Sequence, residues 1–198
     1  MSGHSSFRPP GKRLEWCRQP APDLTMKKNA LDPVVARLCP NCGLCCDSTL
    51  FADVELRAGD DARRLEQLGL VLAPKGRGRL AFAQPCACFG GKLCGIYGDR
   101  PRRCRLFECG LLKRVGLGEL TASAALAKIA AARRRAAAVR ERLRSLGQQD
   151  EQMALTHRYA GAMSAPVDLS DAAGVAGQGE LMLAVSELME LLQRDFLS

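Results

Sequence analysis

The longest periodic pattern of apolar residues lies in the second half of the chain and predicts one long helix. Apolar side chains recur every three or four positions from Leu126 to Leu146, which is the spacing of one helical face. Alanine fills several of these positions, so another helix could approach this face closely. Gly147 follows the last apolar position and is expected to end the helix.

Two further helices are predicted towards the C-terminus. The first covers roughly residues 150–163, and the second carries Leu181, Leu188 and Phe196 on one face. Residues 164–179 between them are rich in Ser, Pro, Asp, Gly and Ala and are predicted to form a flexible connection.

The pattern before the long helix is shorter in period and predicts a little β-structure. Residues 51–56 are a strand candidate, and Gly59-Asp60-Asp61 is typical of a helix start. Residues 71–73 and 80–83 flank a glycine-rich turn, which predicts a small hairpin. Pro101 suits the first position of another short helix. The fold class that we predict is therefore mainly α with a small β-hairpin.

Composition suggests three regions. Residues 1–33 are rich in proline, glycine and basic side chains and are expected to form an irregular arm, in which Met26 is an alternative start. Residues 34–115 hold nine of the ten cysteines, and residues 116–198 are helical and are expected to pack on them. Because aromatic residues are scarce, the core is expected to be thin, and a metal centre would help to stabilise it.

The net charge of +8 is unevenly distributed. Residues 100–147 carry 13 basic and 3 acidic side chains, whereas residues 148–198 carry 2 and 8. The acidic C-terminal region could therefore fold back onto the basic one. The arginines of the long helix lack interleaved aromatic residues, so a solvated helix face is favoured over nucleic-acid binding.

Compartment can be argued from the same sequence. No 18-residue apolar stretch occurs, so a membrane span is not expected, and the N-terminal residues do not resemble a signal peptide. Ten cysteines in 198 residues is about 5 %, below the level of disulfide scaffolds, which is roughly 8–10 %. We expect a reducing cytoplasm, where clustered cysteines more often bind metal than form disulfides.

The cysteines form two sets that predict a metal site. The first set lies within eight residues that are predicted to form a loop, because Pro40 and Gly43 would bend it, and the second follows over residues 86–109. Four thiolates can bind one zinc ion or one [4Fe–4S] cluster, so nine cysteines could fill one site with spares or two sites with one left over. Cys17, His4 and His157 lie apart and are not expected to be ligands. The candidate thiols are Cys39, Cys42, Cys45, Cys46, Cys86, Cys88, Cys94, Cys104 and Cys109.

Two spacings suggest either two centres or one centre with additional packing thiols. Cys45 and Cys46 are adjacent, so their side chains diverge and are poorly placed to share one ion. Cys104 and Cys109 would lie about 140° apart on one ideal helix, so they share a face only if that helix breaks. The C-x2-C-x2-C spacing from Cys39 is that of bacterial ferredoxins, which favours iron–sulfur, while zinc remains open.

The complete motif resembles a known family. The spacing C-x2-C-x2-CC from Cys39, with the later Cys94-Gly95-Ile96-Tyr97 and Arg100-Pro101-x2-Cys104-Arg105-x-Phe107, is similar to the YkgJ-type cysteine-cluster family, described as zinc- or iron-chelating. The resemblance covers about residues 39–109. As ligands it implies Cys39, Cys42, Cys45, Cys46, Cys86, Cys94 and Cys104, with Cys109 as an eighth, and it has no fixed position for Cys88.

Three functions are compatible with this sequence. The first is a metal-binding protein with an iron–sulfur cluster or zinc and no identified protein partner. The second is a methyltransferase-like enzyme, because the cluster also resembles part of the flagellin lysine-N-methylase; no glycine-rich cofactor loop supports it. The third is a redox protein that uses the C-x-x-C pair of Cys39 and Cys42. Arg100 could donate to thiolates or an anionic substrate, or could simply hold the turn before Pro101.

Overall fold

The computed structural model describes residues 33–91, 93–166 and 169–198, and it shows a mainly helical protein with one small sheet. The predicted arm, with Cys17 and His4, lies outside the described residues. The helices are α1 Pro33–Cys42, α2 Ala62–Gln67, α3 Arg102–Leu106, α4 Gly110–Gly116, α5 Ala122–Ser145, α6 Leu155–Ser164 and α7 Ala172–Leu192. The strands are β1 Asp53–Glu55, β2 Leu72–Pro74 and β3 Leu80–Ala83.

The sheet confirms the predicted hairpin and adds a third strand to it. β3 lies in the centre and pairs antiparallel with β2 on one side and with β1 on the other. Phe82 lies opposite both Val54 and Leu72, so the middle of the sheet is apolar. This face packs against Leu65 of α2 and forms a small apolar cluster, the sheet cluster.

The predicted long helix is confirmed as α5. Thr121 caps its N-terminus by accepting a hydrogen bond from the Ala124 N–H, and Gly147 follows its end with a φ of 82°, a conformation that glycine adopts readily. The buried side of α5 is lined by small or branched residues and packs against α1 and α7. The larger apolar cluster of the protein, the helical core, forms around this side.

Two local predictions are wrong. The connection expected over residues 164–179 is too long, because α7 already begins at Ala172, after Asp171. The segment that carries the first cysteines is not a loop throughout, because α1 continues to Cys42 and includes Pro40. Leu38 on α1 is 2 % exposed, so packing on the helical core offsets the hydrogen bond that proline cannot donate.

The acidic C-terminal region lies against the basic helix. Arg135 and Arg142 of α5 pair with Glu187 and Glu180 of α7, at 3.9 and 3.8 Å. These exposed pairs contribute little to stability, but they show that charge on the two helices is complementary. Within the residues that the structure describes, no helix is both long and apolar enough to cross a membrane.

Candidate metal centre

The first four cysteines lie at the end of α1 and in the turn that follows it. Cys39 and Cys42 are three residues apart on the last turn of α1, so their side chains share a face. Gly43 then turns the chain with a φ of 71°, and its N–H donates to the Cys39 carbonyl. A Cβ at Gly43 would lie 2.6 Å from Cζ of Phe89, so this turn requires glycine.

Cys109 is brought to Cys39 and Cys42 by a break between two helices. α3 ends at Leu106, and Cys109 is the N-cap residue of α4, which packs against α1. Burial raises the pKa of the Cys42 thiol to about 12, and the nearby thiolates of Cys109 and Cys39 add to the shift. Burial likewise raises the pKa of Cys45, with further contributions from Cys42 and Cys109. These residues form the first thiol group: Cys39, Cys42, Cys45 and Cys109.

The remaining candidate ligands gather at the edge of the sheet cluster. Cys86, Cys94 and Cys104 pack against its apolar residues. The backbone N–H of Cys86 donates to the Cys46 carbonyl over 2.8 Å, which places Cys46 beside them.

The electrostatics give the same grouping. Burial raises the pKa of Cys46, and the thiolates of Cys86, Cys94 and Cys104 raise it further. Burial also raises the pKa of Cys104 to about 12, with contributions from Cys86 and Cys94. These residues form the second thiol group: Cys46, Cys86, Cys94 and Cys104.

The neighbours Cys45 and Cys46 thus belong to different groups. Cys45 lies among thiols at the helical core, and Cys46 faces those at the sheet cluster. The two groups remain close, because the charge of Cys46 also raises the pKa of Cys45.

Cys88 packs beside the second thiol group, and the hydrogen bond between its side chain and that of Cys86 is the largest cause that raises the pKa of Cys86. Its side chain is 2 % exposed within the sheet cluster, and its Sγ donates to the Leu68 carbonyl over 3.2 Å. A thiol hydrogen-bonded in this way behaves as a small apolar residue. Outside the cysteines, His157 is exposed on α6 and does not join either group.

The donor chemistry fits a thiolate-bound metal, although the side chains do not converge on a single ion. All nine cysteines of the described residues are free thiols. In that part of the chain, no three His, Cys, Asp or Glu side chains are arranged to hold one ion. For zinc, Zn–S bonds of about 2.3 Å would require the sulfurs of a group to approach to about 3.8 Å. The thiols of each group therefore lie near one another without forming a coordination shell.

Arg100 holds the turn before Pro101, and its charge acts on thiols of both groups. Its guanidinium stacks 3.5 Å from the Tyr97 ring centroid, and its Nε donates to the Tyr97 carbonyl over 3.0 Å, which holds the turn before Pro101. Burial raises the pKa of both Cys39 and Cys94, and the charge of Arg100 opposes that shift in each. Arg105, by contrast, is exposed on α3.

Two arginines of α5 bind the segment that carries the first cysteines. The sequence instead predicts a solvated face for the arginines of this helix. Arg133 donates to the Asn41 carbonyl over 2.9 Å. Arg140 donates to the Asp47 carbonyl and to Thr49 Oγ1, both over 2.9 Å, and pairs with the Asp47 carboxylate. These contacts form only because α1 and the turn after it pack against α5, so no local sequence pattern predicts them.

Comparison with known proteins finds one family model that matches the cysteine region. Residues 38–125 match the family model CxxCxxCC, described as a "Putative zinc- or iron-chelating domain". No curated protein and no solved structure gives a significant match to the chain. The matched segment contains both thiol groups and the start of α5. Residues 38–125 of this chain are therefore similar to the CxxCxxCC family model, and this match supports metal binding.

Proposed function

We propose that this protein binds two metal centres, each through one of the two thiol groups. The observation that carries the proposal is where the backbone places the thiols. Cys109 begins α4, which packs against the α1 helix of Cys39 and Cys42, whereas the Cys46 carbonyl accepts from Cys86 at the sheet cluster. Four thiolates complete the coordination of a [4Fe–4S] cluster or of a structural zinc ion. Cys88, held by Leu68, is the thiol left over.

Iron–sulfur clusters are the favoured occupants, and zinc is the alternative. The C-x2-C-x2-C spacing of Cys39, Cys42 and Cys45 is the ferredoxin spacing. The position of Cys109 beside Cys42 supports it as the fourth ligand, although it is distant in sequence. In a two-cluster ferredoxin the fourth ligand comes from the other cysteine motif. A cytoplasmic location, where thiols stay reduced, is part of this proposal.

The raised pKa values explain why such centres would stabilise the fold. At neutral pH the thiols of both groups are protonated, because burial and their mutual repulsion disfavour thiolates. A bound metal reverses this, since its positive charge stabilises the thiolates and links segments distant in sequence. Arg100, close to both groups, offsets the remaining negative charge.

The proposal divides the work between the regions of the chain. Residues 34–115 supply all eight proposed ligands, and residues 116–198 cover the first thiol group from outside. Two observations support this: Leu38 is buried in the helical core, and Arg140 of α5 bonds to the turn after Cys46. The helical region would therefore be required for a stable first centre.

Anaerobic purification tests the proposal. Iron, zinc and acid-labile sulfide are measured per chain, together with the visible spectrum. We expect a brown protein with about eight irons and eight sulfides, or, for the alternative, a colourless protein with about two zinc ions. Metal-free protein that remains folded, with titratable disulfides among these cysteines, would contradict it. The Cys88→Ala variant is the matched control and should retain the full metal content.

A further inference from the structure

A cleft of about 290 Å³ opens beside the second thiol group. Its floor includes Asp47 and Pro85, which directly follow Cys46 and precede Cys86 in sequence. Four charged side chains line it: Asp47, Arg140, Glu151 and Arg158. The volume is close to the lower end for small-molecule sites, roughly 300–1,000 Å³, so the cleft suits a small ligand or the end of a longer one.

Arg158 is the unusual side chain in this cleft. It is 2 % exposed, although arginine is seldom buried without a partner. One terminal nitrogen donates to the Gln148 carbonyl over 2.5 Å, while Nε is buried and has no hydrogen-bond partner. None of the ion pairs found among the described residues involves Arg158; the nearest acidic side chains, Glu151 and Asp150, act on it only at longer range.

The carboxylates at the cleft are already engaged with other arginines. Asp47 pairs with Arg140 at 3.2 Å, and Glu151 pairs with Arg144 at 2.6 Å. Arg158 therefore keeps a buried positive charge and an orphaned N–H donor. A buried charge is costly unless an opposite charge compensates it, and guanidinium groups match oxyanions with paired donors.

We propose that the cleft is a binding site for the carboxylate group of a small molecule, held by Arg158. A singly charged carboxylate is favoured over phosphate, because Asp47 and Glu151 are paired with Arg140 and Arg144, and one negative charge is enough to compensate Arg158. Arg140 contributes positive potential at the opposite wall while it stays bonded to Asp47 and Thr49. The site lies next to the second thiol group, so a bound molecule would contact that part of the protein.

Titration of the full chain, purified without oxygen, tests the site. Sodium acetate, inorganic phosphate and neutral acetamide are the probes, at constant ionic strength, with binding followed by calorimetry and by the ¹⁵N signal of the Arg158 Nε. We expect acetate to bind and to shift this signal, phosphate to bind at least fivefold more weakly, and acetamide to have no effect. Tighter binding of phosphate would identify the ligand group as a phosphate and overturn the carboxylate assignment.

Variants distinguish acetate binding at Arg158 from weak binding to an exposed arginine. Arg158→Gln should weaken acetate binding at least tenfold, and Arg134→Gln, which removes an exposed arginine of α5, should leave it within twofold. If Arg158→Gln does not fold, Arg158→Lys keeps the charge without the Nε donor and should weaken binding at least threefold. The acetate titration of wild-type protein, followed by the Arg158 Nε signal, tests the site without any variant. Absence of acetate binding, or binding that is unchanged in both Arg158 variants, would overturn the proposal.

Discussion

Separate replacement of Cys45 and Cys46 by serine is the sharpest test of two metal centres. The two residues are adjacent, equally placed in the turn after α1, and similar in burial. Apart from Cys46, the thiols that raise the pKa of Cys45 are Cys42, Cys109 and Cys39, whereas those that raise the pKa of Cys46 are Cys86, Cys94 and Cys104. Each replacement should therefore weaken a different centre to the point of metal loss during purification, because it removes one of the four thiolates that bind that centre.

The magnitude follows from the number of ligands. Each thiol group supplies four of the eight proposed ligands, so each single variant should lose half of the metal. For iron–sulfur, this is a fall from about eight to about four irons per chain, and for zinc a fall from about two ions to about one. The double variant Cys42→Ser/Cys45→Ser affects only the first thiol group, so its metal content should match that of Cys45→Ser. Cys45→Ser/Cys46→Ser affects both groups and should bind almost none.

The assay is metal and sulfide analysis of anaerobically purified protein, with circular dichroism to confirm that each variant is folded. Cys88→Ala is the control, because it removes a buried thiol without removing a proposed ligand. It should retain all metal and lose only about 1 kcal/mol of unfolding free energy with its hydrogen bond. The reasoning would be refuted if folded Cys45→Ser and Cys46→Ser each lost all metal, which would indicate one shared centre, or if Cys88→Ala lost half.

Three further predictions concern pH, charge and packing. Burial raises the pKa of thiols such as Cys42 to about 12, so metal binding must release their protons. Metal affinity measured by chelator competition should therefore rise steeply from pH 6 to pH 8. A flat profile would argue against thiolate ligands. Asp195, 1 % exposed, pairs with Lys128 at 2.7 Å, so Asp195→Asn should lower the urea unfolding free energy by about 1–3 kcal/mol at pH 7. Burial alone would raise the pKa of Asp195, but Lys128 and Arg194 lower it overall. The stability difference between wild type and Asp195→Asn should therefore shrink as pH falls below about 4, and should not grow there. Ala136→Leu should cost about 1–3 kcal/mol in thermal unfolding because Ala136 is fully buried, whereas exposed Ala137→Leu should be near neutral, and equal costs would contradict the packing of α5.

The sequence predicted the parts of the fold that depend on local periodicity. The spacing from Leu126 to Leu146 indicated α5 because a helix that buries one face must repeat its apolar residues every three or four positions. The hairpin was predictable for the same kind of reason, since two short apolar runs flank a glycine-rich turn. The third strand, β1, was also predicted, as a strand candidate over residues 51–56, but only the sheet shows which strand it joins.

Elements whose stability comes from distant contacts were not predictable. Pro40 and Gly43 argued for a loop at the first cysteines, yet α1 extends to Cys42 because Leu38 is buried in the helical core. Residues 172–179 read as a flexible connection from their glycine and alanine content, yet they form the start of α7. In both cases tertiary burial outweighs local propensity.

The candidate site shows the same division between local spacing and tertiary position. Divergence of Cys45 and Cys46 follows from their adjacency, so the sequence already argued for two centres as one of two possibilities. The placement of Cys109 depended on whether the helix that begins after Pro101 breaks, and the structure shows that break after Leu106.

The step from Cys45 to Cys46 also connects the two apolar clusters mechanically. One side chain is directed to thiols at the helical core and the next to thiols at the sheet cluster, with no intervening residue to absorb a relative movement. A centre at either group would therefore restrict the position of the other group's ligands. Loss of one metal should for that reason weaken binding of the other without abolishing it, so in each single variant the remaining metal should be released faster to a chelator than from wild-type protein. Equal release rates would show that the two groups are independent.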